Sequence, residues 1–280
     1  MTLATLAEVL RPALEGGWAV PGFVCLGWED ARAYVRAGEA ERAPVILQAG
    51  PGARAHMPLP VWAAMLRHLA QVAAVPVVVH LDHGASVEEC RAAVEAGFTS
   101  VMFDGSRLPL DDNIALTAAV AAAAHARGVS CEGEVGFVGY AGGAASTGTD
   151  PEEAARFVRE TGVDALAVSV GNLHLSRQEG AGLDMARIRA IEAATGVALV
   201  IHGGSGVPRA ERPALASGTR VCKVNIGTEL RQVFGQALRE AVNRDPARFD
   251  RLEILRETEG PVTEAARAVI RDLGAAGRGG

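Results

Sequence analysis

The chain has 280 residues, of which 49% are hydrophobic and 21% charged, and its formal net charge is −6. That length fits one large domain spanning residues 1–280 better than two, with ample apolar material for a core. The mild acidity gives no electrostatic reason to bind nucleic acid or an anionic membrane, so neither is expected as a partner.

In chain order, the amino end reads MTLATLAEVLRPALEGGWAV, with no basic stretch leading into an apolar one. No later segment offers about 18 clean apolar residues, so cytoplasmic residence is the expectation. Short apolar runs rich in Val, Ile and Leu follow at Ala19–Val24, Pro44–Ala49, Val75–Leu81, Ser100–Phe103, Ser130–Val135, Ala165–Val170, Ala198–His202 and Arg220–Ile226. Near-continuous hydrophobicity of this kind suits parallel strands buried on both faces. Helical composition lies between them at Trp28–Arg42, Leu59–Ala73, Ser86–Ala96, Asn113–Arg127, Pro151–Thr161, Asp184–Thr195, Glu211–Ser217 and Thr228–Arg244. Ser86 with Glu89 reads as a capping box, and Asp150-Pro151 as a second helix start. Gly97, Gly128 and Gly162 mark helix ends.

Eight strand–helix units predict an α/β chain closed into a (β/α)8 (TIM) barrel rather than an open doubly wound sheet. No glycine fingerprint for a dinucleotide follows the first strand. Gly136–Thr149 reads as a long mobile loop over the barrel mouth. A helical tail with a further helix near Val262–Leu273 ends in a glycine-rich stub expected to fray. The four cysteines, Cys25, Cys90, Cys131 and Cys222, are far apart and suggest neither a disulfide framework nor a thiolate metal knot.

Ligands of such a barrel bind at the carboxyl ends of its strands, so the polar residues there carry the chemistry. The third predicted strand ends in HLDHG, with His80, Asp82 and His83, and the fourth in FDGS, with Asp104. The fifth offers Glu132 and Glu134, the sixth Gly171-Asn172-Leu173-His174, the seventh His202-Gly203-Gly204-Ser205, and the eighth Lys223, Asn225 and Thr228. His83, His174 and His202 on one rim predict a catalytic divalent-metal site, three imidazoles with an open position. His80 reads as a deeper structural group or one that supports the ligands, and His56, His68 and His125 fall in loop or helix positions without a ligand role. Asp82, beside a ligand, is placed to exchange a proton with a substrate hydroxyl. The Gly203–Ser205 turn and the helix start at Thr228 sit where this architecture holds phosphate. Lys223 is the sole lysine of the chain, which makes it a candidate for a role that arginine cannot fill.

At these residues the chain resembles the class II, metal-dependent ketose-bisphosphate aldolases, the fructose- and tagatose-bisphosphate group. The landmarks are AVPGF (Ala19–Phe23), PVILQAGPGA (Pro44–Ala53), HLDHG (His80–Gly84), VMFDGS (Val101–Ser106), GEVG after Glu132, TGVDALAVSVG through His174, LVIHGGSG (Leu199–Gly206) and KVNIGTEL (Lys223–Leu230). The resemblance implies zinc on His83, His174 and His202, with Asp82 as the proton-transfer residue. It implies Glu134 beside the metal, bonded to ligands or holding an alternative metal position. Asp104, Glu132 and Lys223 would support the ligands from behind. It implies a donor phosphate, as in dihydroxyacetone phosphate, on Gly203, Gly204, Ser205, Asn225 and Thr228, with a monovalent cation such as Na+ or K+. Bond cleavage would leave an enediolate stabilised by the metal, and the assembly would be a homodimer or homotetramer.

Several positions depart from the family pattern. Val24 stands where a polar residue is usual, Gly50 where serine or threonine is common, Tyr140 in place of a glycine, and Leu175 in place of the glycine after the metal histidine. These losses touch substrate rather than metal, so the acceptor is expected to differ from glyceraldehyde 3-phosphate. Three rivals share the scaffold: a Schiff-base aldolase using Lys223, a metal-dependent sugar-phosphate epimerase or hydrolase, and an inactive binding or structural homologue.

Overall fold

Buried apolar strands alternate with amphipathic helices in the computed structural model, which describes residues 2–180 and 182–279. The strands are β1 (Leu3–Ala4), β2 (Val20–Val24), β3 (Val45–Ala49), β4 (Val77–Gly84), β5 (Ser100–Phe103), β6 (Ser130–Val135), β7 (Ala165–Val168), β8 (Ala198–Ile201) and β9 (Val221–Ile226). All pairings are parallel in the order β4-β3-β2-β9-β8-β7-β6-β5, and β4 pairs with β5 to close the barrel. The eight barrel strands are those the apolar runs predict, and β1 adds a two-residue extension against Val77 and Val78.

Helix boundaries follow from local chemistry. Ser86 Oγ accepts from the Glu89 N–H at 3.1 Å, as a cap should. The reciprocal half of the predicted capping box is absent, because the Glu89 carboxylate takes the Ala85 N–H and the Arg54 guanidinium instead. Asp150 caps the Pro151–Thr161 helix by accepting from Glu152 and Glu153. That helix ends at Gly162, which adopts a φ of 67° that only glycine takes without strain.

Several segments depart from the sequence reading, among them an unpredicted short helix at Pro51–His56. Leu6–Gly16 forms a helix where none is predicted, started by a Thr5/Glu8 capping box and running through Pro12. It touches β2, β6, β8 and β9, so it covers the amino-terminal end of the barrel with Leu6, Val9, Leu10 and Ala13. The tail helix spans Arg251–Asp272, beginning much earlier than Val262 because Asp250 caps it, and it runs through Pro261. The glycine-rich stub beyond it is docked rather than frayed. Ala275 is buried, and the N–H groups of Gly277 and Gly279 donate to Glu41 O and Arg42 O at 2.8 and 2.7 Å.

The tail helix packs on the Trp28–Glu41 helix. Glu259, buried there, accepts from both Arg32 and Arg36. Charge-assisted bonds to a buried carboxylate outweigh those between fully exposed groups, although both arginines here stay partly exposed. Glu259→Ala should therefore lower the unfolding free energy by about 2 kcal/mol in urea titration. A change below about 0.5 kcal/mol would show that this ion pair behaves as a solvated one.

Candidate metal centre and substrate cavity

Strand alternation sends His80 and Asp82 of β4 inward, and it does the same for Glu132 and Glu134 of β6 and for Lys223 and Asn225 of β9. A regular strand would turn His83 away from Asp82. Instead the register of β4 shifts between Leu81 and Gly84, and His83 takes a φ of 51°. Both Asp82 and His83 consequently line one cavity. The left-handed backbone costs about 1–2 kcal/mol, and Arg54 holds it in place. Its guanidinium donates to Asp82 O at 2.7 Å, to His83 O at 2.9 Å and to Ala49 O, while pairing with Glu89 at 2.8 Å.

Each metal-ligand candidate is oriented by a partner. His83 Nδ1 lies 2.7 Å from Asp104 Oδ2, and Asp104 is itself fixed by the N–H and hydroxyl of Ser106. With Nδ1–H donating there, the Nε2 lone pair of His83 is left for a ligand. His202, at the end of β8, meets Glu132 Oε1 through Nε2 at 3.0 Å, and Asn172 Nδ2 donates to its carbonyl at 3.0 Å. Glu132 Oε2 accepts from Lys223 Nζ at 2.7 Å, and Lys223 lies 3.3 Å from His80 Nε2. His174 exchanges backbone bonds with the loop after β6, donating to Gly139 O and accepting from Ala141 N–H. The Tyr140 ring stacks on its imidazole with centroids 4.9 Å apart.

The three predicted imidazoles converge. Ring centroids are 4.6 Å apart for His83–His202, 5.1 Å for His83–His174 and 5.6 Å for His174–His202. One ring nitrogen from each lies within 4.8 Å of the others. A second set, His83, Asp104 and Glu134, meets the same criterion and overlaps the first. Two buried atoms at this point lack a hydrogen-bond partner, His202 Nδ1 and Glu134 Oε2, which lie 3.3 Å apart. A donor set of three imidazoles with a carboxylate alongside fits a divalent cation.

The electrostatics point the same way. Burial and the neighbouring imidazoles push His174 down to about 3, so it stays neutral with a lone pair to give. Burial disfavours charge on His202 too, yet Glu132 and Glu134 lift it to about 10. Positive charge is thus favoured between the carboxylates, which a proton or a metal ion meets. Asp82 is lowered: burial opposes its charge, but His83, His202 and Lys223 prevail. Glu132 is likewise held well below the carboxylate range, with Lys223 overcoming burial.

The cavity in front of the imidazoles has a volume of about 330 Å³. Of the predicted phosphate residues, Gly203, Ser205, Asn225 and Thr228 line it, whereas Gly204 is buried beneath, its carbonyl taken by Arg212. Ser205 Oγ accepts from the N–H groups of Gly227 and Glu229, both at 3.3 Å, tying the turn to the helix start. Asn225 Nδ2 reaches Asp82 Oδ1 at 3.4 Å. Leu175 lines the cavity and keeps the left-handed backbone of a glycine, with φ 58°. Lys223 does not reach the cavity; it is fully buried and paired with Glu132, which leaves no free amine for Schiff-base chemistry. His56 and His68 lie on helices away from the triad, and His125 pairs with Asp164. Arg54, the Tyr140 ring over His174, and Arg231 in the cavity wall are additions that strand-end reading does not reach.

The family description "Fructose-bisphosphate aldolase class-II" matches residues 4–278. A fructose-bisphosphate aldolase of Geobacillus stearothermophilus is 37% identical over 99% of both chains. Among solved structures, the YdjI aldolase of Escherichia coli K12 superposes with a TM-score of 0.87 at 31% identity, covering 99% of this chain and 100% of that one. A putative fructose-1,6-bisphosphate aldolase of Coccidioides immitis gives 0.84 at 25% identity, covering 98% and 97%. The chain therefore belongs to the class-II fructose-bisphosphate aldolase family, a metal-dependent group, and is a lyase acting on carbon–carbon bonds in ketose phosphates.

Proposed function

We propose that the metal is zinc, held by His83, His174 and His202, and that the donor fragment is dihydroxyacetone phosphate. The observation that carries this reading is the convergence of three imidazoles on one point beside Asp82, with a hydrogen-bonding cradle in the same cavity. A divalent ion there supplies Lewis-acid polarisation of the ketose carbonyl and stabilises the negative charge that builds up as the bond breaks. Asp82, ionised and inside the cavity, takes the proton from the hydroxyl on the carbon that becomes the aldehyde. Its carboxylate is positioned by Asn225. Glu134 faces the open side of His202 and balances charge at the metal point, while Asp104 and the Glu132–Lys223 pair hold His83 and His202 in their ligating orientations. Gly203, Ser205, Asn225 and Thr228 hold the donor phosphate, with Gly204 shaping the turn and a Na+ or K+ ion alongside.

The acceptor half differs from glyceraldehyde 3-phosphate in this reading. The cavity wall between β2 and β3 is formed by Val24, Leu26, Gly50, Pro51 and Ala53, which supply no charged side chain to a second phosphate. A site without the matching polar partners discriminates poorly for that group. Leu26 in that wall, and Tyr140 beside His174, are partly exposed apolar side chains that line the cavity instead. Val242, Phe249 and Leu252, exposed around the junction of the last two helices, support burial in a homodimer or homotetramer. Among the described residues no helix is long and apolar enough to cross a membrane, and we place the enzyme in the cytoplasm.

Three measurements test this reading. Purified protein should hold about one divalent ion per chain, and His174→Ala or His202→Ala should sharply reduce zinc by elemental analysis, because two imidazoles hold it less well than three. Unchanged zinc in both variants would remove the triad assignment. Asp82→Asn should keep its metal and lose turnover by roughly 10²–10⁴-fold; normal turnover would reduce Asp82 to a structural role. A coupled assay should detect dihydroxyacetone phosphate released from ketose 1-phosphates, abolished by EDTA and slow with fructose 1,6-bisphosphate. Metal-independent release would contradict the mechanism, and efficient fructose 1,6-bisphosphate cleavage would overturn the altered acceptor.

A further inference from the structure

Two segments supply the phosphate cradle proposed above: the turn at Gly203–Ser205 after β8, and the first turn of the Thr228–Arg244 helix after β9. The helix brings a difficulty with it. Glu229 is its second residue and the acidic group of its first turn, and its N–H meets Ser205 Oγ at 3.3 Å. A carboxylate at that helix end takes the positive pole that a phosphate would use, and its charge repels a dianion.

Arg212 answers that charge from beneath the turn. It opens the Arg212–Gly218 helix, is only 1% exposed and does not line the cavity. Its Nη2 lies 3.0 Å from Glu229 Oε1 and donates to Gly204 O at 3.3 Å, while Nε donates to Val207 O at 3.2 Å. One planar group thus ties the carbonyl side of the turn to the start of the helix. The other acid within reach is engaged elsewhere: Asp272, at the end of the tail helix, is 4.0 Å from Arg212 Nη1 but 2.8 Å from Arg209. Burial pushes the Glu229 carboxyl above its ordinary value, and the Arg212 guanidinium opposes that rise. A buried ion pair adds little stability over apolar packing of the same volume, so the consequence of this one lies in where it places charge.

We propose that Arg212 is a positioning residue for phosphate binding, which pairs with Glu229 beneath the turn and leaves the helix end free for a phosphate group. The proposal rests on the reading above that this cradle holds a phosphorylated donor. Arg212 acts without touching the ligand. Its loss leaves an unpaired carboxylate beside the ligand's own negative charge, and it loosens the turn whose Gly204 carbonyl it holds.

The test combines phosphate binding with an exchange reaction that needs no acceptor. In calorimetric titration of the zinc-loaded enzyme with inorganic phosphate, Arg212→Met should weaken binding by about 10-fold, the scale of one uncompensated charge at short range. Adding Glu229→Gln to that variant should recover most of the loss, because the unpaired carboxylate is then gone. A role confined to folding is not repaired by removing the partner's charge. Solvent-proton exchange into dihydroxyacetone phosphate should show KM raised about 10-fold in Arg212→Met, with kcat and the KM for unphosphorylated dihydroxyacetone within about 2-fold of wild type. Zinc content and the thermal midpoint are the folding controls. If Arg212→Met does not fold, Glu229→Gln alone carries the test, since the amide can still accept from Arg212 but bears no charge; phosphate binding should then tighten by about 3-fold. Unchanged phosphate affinity in folded Arg212→Met would overturn the proposal, as would a loss that Glu229→Gln leaves unrepaired, or unchanged or weaker binding in the single Glu229→Gln variant. A wild-type enzyme that binds no phosphate would overturn the phosphate reading and this proposal together, whereas wild-type binding that every variant retains would overturn the proposal alone.

Discussion

Three carboxylates, Asp82, Glu132 and Glu134, enter the carboxyl end of the barrel with no more than 6% of their surface exposed, and one lysine answers them. Charges taken out of water are tolerated only when paired or bound to a metal. Lys223 neutralises Glu132, and the remainder faces the imidazoles. Positive charge is favoured at the point where His83, His174 and His202 meet, because Glu132 and Glu134 flank it. That constraint links fold to function, because the carboxylates that favour the charge also orient the imidazoles. Lys223 fixes Glu132, Glu132 fixes His202, and Asp104 fixes His83.

Backbone strain is placed at the same centre. His83 and Leu175 both hold left-handed conformations that side chains disfavour, one at a proposed metal ligand and the other directly after one. Arg54 ties down the first through three carbonyls, and the small hairpin after β6 ties down the region of the second. Phe137 and Thr147 pair across that hairpin, and Tyr140 bridges to His174. Thus the segment Gly136–Thr149, which reads as a mobile loop from its glycines and alanines, is fastened to His174 by hydrogen bonds and by ring stacking.

Much of this organisation is legible in the sequence. Parallel strands buried on both faces are nearly continuous apolar runs, so all eight barrel strands stand out, and a strand end is a fixed address for polar residues. His83, His174 and His202 gather accordingly around one point, with Asp82 in the same cavity. What stays hidden depends on geometry that a linear pattern does not encode. Pro12 and Pro261 lie inside helices that their tertiary contacts sustain, so Leu6–Gly16 and the first turns of Arg251–Asp272 escape a reading by periodicity. The docking of Gly277 and Gly279 depends on carbonyls more than 200 residues away. The register shift that sends Asp82 and His83 to one side reverses the ordinary alternation. Arg54 and Arg231 sit on helices, where an arginine normally signals a solvated face, and only the fold turns them toward the site.

Anomalous diffraction at the zinc edge, from crystals of the zinc-loaded enzyme, reads out whether the buried carboxylates and imidazoles define a divalent-metal point. One dominant peak is expected about 2.0–2.1 Å from a ring nitrogen of each of His83, His174 and His202. A peak confined to His83, Asp104 and Glu134, or no ordered zinc at the barrel mouth, would contradict it.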